Sequence, residues 1–402
     1  ELLFDAANIE RWNELIRPIT FYEIDKQAHK LIIAYLIGKI EEDEGNSFSW
    51  TKLIEGGIFE YFRRVLLTDI KPQVFRKLIS ERERELNDWV IRRLKPVLKD
   101  LRNGFYDKAI TYYLEPGSFQ KEKHFLRAAH YLATSWEFDI IYGLNRGGYD
   151  IEDINNNIQY EAEEYFDLLS FQKIYHKKKI YAFINLCGQL RFQNRWAQTP
   201  RIPKTTVLGH LMMVALLTYF TSNELSVSNR RLYNNFFGAL FHDLPEVLTR
   251  DIISPVKKGV PGFNRVIKEY EERAFEERVL PLLPDKWEEE IRYLIMPKIK
   301  GHQGDEPEFV NRIIDSGTVK QVTFEEIEES YSSDTYYPLD GNLIRACDDL
   351  AAFTEVVYST SCGITSKHLE HAEDTLLNKY EGAIISGINF DELFSSVIDT
   401  FD

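Results

Sequence analysis

Phe241-His242-Asp243-Leu244-Pro245-Glu246-Val247-Leu248-Thr249-Arg250-Asp251-Ile252 closes an apolar run, Phe236-Phe237-Gly238-Ala239-Leu240, that predicts a buried helix. A His-Asp pair at the end of such a helix is costly to bury unless something binds it. Adjacent helical residues point about 100° apart, so His242 and Asp243 suit neighbouring positions of an octahedral ion better than one tetrahedral pocket. Glu246 lies four residues after His242 and returns to the same face. Asp251 follows one turn later, ahead of Ser254-Pro255-Val256-Lys257. Taken alone, such a pair reads as a satisfied core histidine beside surface acids. The rest of the chain decides against that.

The 402 residues, 44% of them hydrophobic, suffice for two or three domains with real cores. No run of 18 uncharged apolar residues exists, so no membrane-spanning helix is expected. The first residues, Glu1-Leu2-Leu3-Phe4-Asp5, lack the basic segment and apolar core of a secretory signal. Cys187, Cys347 and Cys362 are far apart and make no metal-type spacing. A reducing, cytoplasmic location is therefore expected. The formal charge of −15 argues against a nucleic-acid partner gripped through its phosphates, yet permits a small anion in a local basic pocket. Gly-rich phosphate loops, Gly-x-Ser-x-Gly elbows and Cys-x-x-Cys pairs are absent.

Helical periodicity runs through 29–41, 73–101, 122–143, 155–190, 208–222, 231–248, 263–281, 286–296 and 342–359, while strand-like alternation is scarce. The class is all-α. Self-similarity then sets the organisation. Residues 56–70 and 238–252 align without a gap, from Gly56-Gly57-Ile58-Phe59 and Gly238-Ala239-Leu240-Phe241 through to Asp69-Ile70 and Asp251-Ile252. Arg11-Trp12 parallels Arg195-Trp196, and Ala28-His29 parallels Gly209-His210. Leu126-Arg127-Ala128-Ala129-His130 parallels Ile344-Arg345-Ala346-Cys347-Asp348. Four blocks in one order indicate a duplication, with domains at 1–178 and 179–402.

The copies differ where chemistry would sit. Glu60, Tyr61, Arg64 and His130 stand opposite His242, Asp243, Glu246 and Asp348, while His29 is set opposite His210. A tyrosine is a poor ligand for a labile divalent ion, and Arg64 adds positive charge, so the first copy reads as a metal-free scaffold. The second offers His210, His242, Asp243 and Asp348 from three apolar helices. Two imidazoles and two carboxylates suit one divalent transition metal: Mn, Co, Fe, Ni or Zn. Asp348 is preferred to Asp349 because Ala346, Leu350 and Ala351 make its surroundings apolar.

The order His, His-Asp, Asp resembles the HD-domain superfamily of metal-dependent phosphohydrolases. Residues 190–359 resemble in particular the bacterial 5′-deoxynucleotidase branch, with Arg195-Trp196 about fifteen residues before His210. The frame from His242 to Asp251, followed by Ser254-Pro255-Val256-Lys257, matches that branch as well. The resemblance implies that Arg195 and Trp196 position phosphate and sugar, and that Asp251 and Ser254 contact the nucleotide. It also implies that Glu246 assists the attacking water. Lys257 is a further phosphate-facing candidate, and Asp243, Glu246 and Asp251 are the catalytic candidates.

The expected reaction is hydrolysis of a (deoxy)nucleoside 5′-monophosphate, a small-molecule substrate. The alternatives are another nucleotide (a triphosphate, cyclic or alarmone nucleotide) and a nucleotide-sensing module without turnover. Two features depart from the branch. Because its nucleotidases are helical homodimers, the fused copies suggest an intrachain pseudo-dimer acting as a monomer. The second copy also carries extra residues mainly within 297–341, a polar stretch expected to form a lid outside the core that sets substrate choice.

Overall fold

Two kinds of helical period, one amphipathic and one apolar all round, account for the architecture. The computed structural model describes residues 1–68, 70, 72–250, 263–302 and 306–401. It divides into two units, residues 2–181 and 182–402. Among the described residues the only sheets are three two-stranded antiparallel hairpins, so the fold is all-α. None of the described helices is long and apolar enough to cross a membrane.

In the second unit the His210 helix (Val207–Glu224) packs against both the His242 helix (Asn229–Phe241) and the Asp348 helix (Gly341–Ser361). The His210 helix is apolar on all sides and is buried almost throughout, as such a helix must be. Thr206 caps it by accepting from the Gly209 N–H at 3.0 Å, and Ser228 does the same for the His242 helix through Arg231. A side-chain cap of this kind contributes about 1 kcal/mol. The buried Arg231 guanidinium donates to both oxygens of Asp340, at 2.7 and 2.8 Å. That fork ties the His242 helix to the start of the Asp348 helix.

The first unit repeats this arrangement with the Lys26 helix (Glu23–Asp43), the Glu60 helix (Trp50–Leu67) and the His130 helix (Gln120–Tyr142). Both crossings rely on a glycine. A Cβ on Gly56 would lie 3.0 Å from Leu126, and one on Gly238 would lie 3.2 Å from Ile344. Trp12 and Trp196 share a left-handed backbone, with φ of 55° and 56°.

One correspondence drawn from sequence is wrong by a helical turn. Glu10 pairs with Tyr22, and Asn194 pairs with Thr206. Tyr22 and Thr206 are the N-caps of the Lys26 and His210 helices. The offset is constant (194 − 10 = 184, 206 − 22 = 184), so Lys26, and not His29, stands where His210 stands (210 − 26 = 184). His29 is instead a core residue, edge-on to Trp136 at 4.9 Å. A slip of three residues keeps an apolar helix on the same face, which is why the sequence blocks matched in the wrong register.

The stretch 297–341 is also not a loop outside the core. Arg312–Asp315 pairs with Thr318–Gln321 in a hairpin, and the helix Phe324–Ser330 starts on a Thr323–Glu326 capping box. Ile313, Ile327 and Leu339 are fully buried. Of the Gly and acidic residues that suggested a loop, Gly301 lies in a turn and Glu308 is buried and paired with Lys268 at 2.8 Å, while Gly304 and Asp305 lie outside the described residues.

Candidate metal centre

Three helices bring His210, His242 and Asp348 together, each offering a ligand atom within 4.8 Å of the others. His242 is placed by helix chemistry. It caps the end of its helix, and its Nδ1 donates to the Ala239 carbonyl at 2.7 Å. That bond leaves the buried Nε2 to face the cluster, where it makes no well-aligned hydrogen bond among the described residues and has the carboxylates of Asp243 and Asp348 as neighbours. A histidine fixed through one nitrogen and open at the other is the usual form of a metal ligand. His210 Nε2 lies 2.8 Å from Asp348 Oδ1, and His242 Nε2 lies 3.9 Å from the same oxygen.

Asp243 stands beside this group, its Oδ2 3.3 Å from His242 Nε2 and 3.8 Å from Arg195 Nη1. The electrostatics are those of a site built for positive charge. Burial opposes charge on Asp348, but His210 and His242 overcome it and bring its pKa down to about 2. Asp243 is held far below the usual carboxylate range in the same way, against burial, chiefly by His242. Burial works to lower the pKa of His242, and the Asp243 carboxylate overrides it, raising the value to about 9. A divalent ion would take the place of those protons. The donor set, the buried open Nε2 and the depressed carboxylates fit one.

A residue that sequence reasoning missed organises the other side of His210. Glu355 is buried and accepts from the Trp196 indole N–H at 2.7 Å and from the Thr205 hydroxyl at 2.7 Å. The Arg195 Nε and the Arg201 guanidinium each approach within 3.5 Å, and His210 Nδ1 lies 3.7 Å away. Burial opposes its charge, yet Arg201, Arg195 and His210 hold its pKa well below the ordinary value. At 3.7 Å the Glu355 carboxylate is beyond hydrogen-bonding distance of Nδ1, so it places negative charge behind the His210 ring without a hydrogen bond to it. The signal was present in the repeat, for Glu137 lies seven residues after His130 as Glu355 lies seven after Asp348. Glu137 accepts from the Trp12 indole at 2.8 Å.

Arg195 therefore joins the cluster, bridging towards Asp243 and Glu355. Trp196 is beside it, with its N–H committed to Glu355. Glu246 opens a short helix (Glu246–Thr249), its backbone N–H donating to the Asp243 carbonyl at 3.0 Å. Asp251, Ser254 and Lys257 lie outside the described residues. A cation near the cluster was not anticipated: Arg345, whose Nη1 is 4.0 Å from Asp348 Oδ2.

In the first unit the same place is filled by the protein's own basic side chains. The Lys26 amine donates to the His130 ring, 2.9 Å from Nε2, and Lys30 pairs with Glu60. Arg64 sits 3.2 Å from Glu23. Burial first, and the neighbouring Arg11 next, push the Lys26 pKa well down. Tyr61 bonds to the Leu3 carbonyl. Among the described residues the metal-type cluster is that of the second unit.

Residues 187–376 match the model of the HD domain family. A 5′-deoxynucleotidase of Pasteurella multocida is 30% identical over 113 residues, covering 26% of this chain and 55% of the relative. One of Photorhabdus laumondii is 29% identical over 115 residues (27% and 56%), and one of Vibrio vulnificus is 26% identical over 118 residues (27% and 57%). The chain spans about half the length of the curated relatives it matches.

Proposed function

Residues 187–376 belong to the HD domain family, and on that premise we propose that the second unit is a metal-dependent phosphohydrolase acting on nucleoside 5′-monophosphates. The observation that carries this reading is the buried, open Nε2 of His242 facing His210 and Asp348 within 4.8 Å. His210, His242 and Asp348, with Asp243 alongside, would hold one divalent transition metal. Such an ion, when bound, polarises a phosphoryl oxygen and lowers the pKa of water.

The chain's own residues supply the rest. Glu355 supplies negative charge behind the His210 ring, whose Nε2 already meets Asp348 at 2.8 Å. Arg195, already among acids, offsets charge that builds on the phosphoryl oxygens. Asp243 and Glu246 accept the proton of the attacking water and return one to the departing 5′-oxygen. The water oxygen bonds to phosphorus as the ester P–O bond breaks, giving nucleoside and phosphate. Trp196 has spent its N–H on Glu355, so it offers the substrate its ring face. Asp251, Ser254 and Lys257 are proposed to contact the nucleotide.

A more highly charged nucleotide, such as a triphosphate, is the second reading, favoured by the extra cation Arg345 beside the cluster. The test is phosphate release by metal-loaded protein from nucleoside mono-, di- and triphosphates and cyclic nucleotides. Preferred release from monophosphates supports the first reading. Binding without release from any of them would instead make the unit a nucleotide sensor.

A further inference from the structure

The segment that distinguishes the second unit brings an aromatic side chain against its metal centre. Phe309 lies in the short turn Pro307–Phe309, and its ring centroid is 5.6 Å from that of His242. The Arg345 guanidinium sits 4.7 Å from the Phe309 ring centre. Guanidinium, phenyl ring and metal-type imidazole thus form one contiguous set, and the first and last of them flank Asp348.

This turn is fixed in place. Arg312, wholly buried, donates to the carbonyls of Glu308 at 2.9 Å and Val310 at 3.0 Å, and also to that of Tyr293 at 2.8 Å. From the other direction the backbone of Gly341 closes so tightly that a Cβ there would lie 2.4 Å from the Phe309 carbonyl carbon and from the Val310 nitrogen and oxygen. Leu339 and Arg312 exchange backbone hydrogen bonds at 2.9 and 3.0 Å. A segment held from both sides is a wall, and the expectation of a closing lid does not suit it.

Arg345 is only partly committed. Its Nη1 lies 3.2 Å from Glu306 and 4.0 Å from Asp348 Oδ2, and its Nε lies 3.7 Å from Asp349. Glu306 is an exposed carboxylate on the turn, a partner that an incoming anion can replace at little cost. The guanidinium fork suits the oxygens of a phosphate, and stacking on Phe309 holds it at the edge of the cluster.

Resting on the phosphohydrolase reading, we propose that Arg345 clamps the substrate phosphate and that Phe309 is the positioning residue that aims it. The insertion then sets substrate choice by fixing this pair.

The experiment measures metal content, inorganic phosphate binding and nucleotide turnover separately in metal-loaded wild type, Arg345→Ala, Arg345→Lys, Phe309→Ala and Phe309→Tyr. Arg345→Ala should keep its ion and bind inorganic phosphate about tenfold more weakly, with Arg345→Lys between it and wild type because a point charge lacks the fork. Phe309→Ala should raise KM with kcat little changed, and Phe309→Tyr should restore it. Unaltered phosphate binding in Arg345→Ala, alongside normal wild-type turnover, overturns this proposal and leaves the phosphohydrolase reading standing. Loss of the ion in Arg345→Ala also overturns it, since Arg345 would then be a brace for Asp348. A metal-loaded wild type that neither binds phosphate nor releases it removes both.

Discussion

Trp196 donates its indole N–H to Glu355 across 2.7 Å, and the equivalent Trp12 donates to Glu137 across 2.8 Å. The pair is present in the first unit too, where the described residues make no metal-type cluster, so it does not depend on a metal. In the second unit the carboxylate also has His210 as a neighbour at 3.7 Å.

Glu355→Gln should therefore act at two levels. Loss of a buried charge takes from Arg201 and Arg195 a carboxylate that both approach within 3.5 Å, costing on the order of 3 kcal/mol of stability. Metal affinity should fall roughly 10- to 100-fold, as for other residues behind a ligating histidine. Thermal unfolding with and without added metal, and a metal titration, check both. A variant with lower stability but unchanged metal affinity would confine Glu355 to the scaffold.

Glu246→Ala should keep the ion and lose activity by about 10²- to 10⁴-fold, the range for a general acid or base. Metal analysis beside single-turnover phosphate release checks this. Intact turnover would leave Glu246 as part of a helix start and nothing more.

Gly341→Ala tests the fixed wall. Its methyl group would meet backbone atoms of Phe309 and Val310, with no flexible side chain to give way. A cost of about 1–3 kcal/mol is expected from the overpacking. Phosphate binding should weaken with it as Phe309 shifts, read by denaturant unfolding and phosphate titration on one preparation.

The first unit should respond to acid through Glu60. Burial opposes its charge, but Lys30 and Arg63 bring its pKa down from the ordinary 4.5 to about 2. A carboxylate depressed on folding contributes stability above its unfolded pKa and loses it as pH falls through the folded value. Glu60 should therefore stabilise fully above about pH 4.5 and progressively less towards pH 2, by at most about 3 kcal/mol. Glu60→Gln should flatten the wild-type fall in melting temperature across that window. Parallel curves for the two proteins would contradict it.

Much of the site was legible because the evidence lay in residue type and spacing. His210, His242 and Asp348 are polar groups in apolar helices, and that contradiction marks them in the sequence. Glu355 escaped because a lone glutamate near a helix end looks solvated. Only comparison with Glu137 at the same offset separates it from a surface acid. Lys26 escaped because an apolar helix matches itself at a shift of one turn, and the caps and hairpins that break the tie are contacts made in three dimensions. The 297–341 segment reads as loop locally, since its apolar core residues, Ile313, Ile327 and Leu339, are dispersed, and the burial of Asn311, Arg312 and Asp340 among them is set by contacts made only in three dimensions. Arg345 and Phe309 are far apart in sequence, and only folding the insertion brings them together.

The measurement that bears most directly on the second unit as the metal centre is elemental analysis of the purified chain beside His242→Ala, Asp348→Ala and Lys26→Met. Wild type and Lys26→Met should each carry one divalent transition-metal ion per chain, and the His242 and Asp348 variants close to none. Two ions per wild-type chain, or an ion that survives both His242→Ala and Asp348→Ala, would contradict a single centre built on His210, His242 and Asp348.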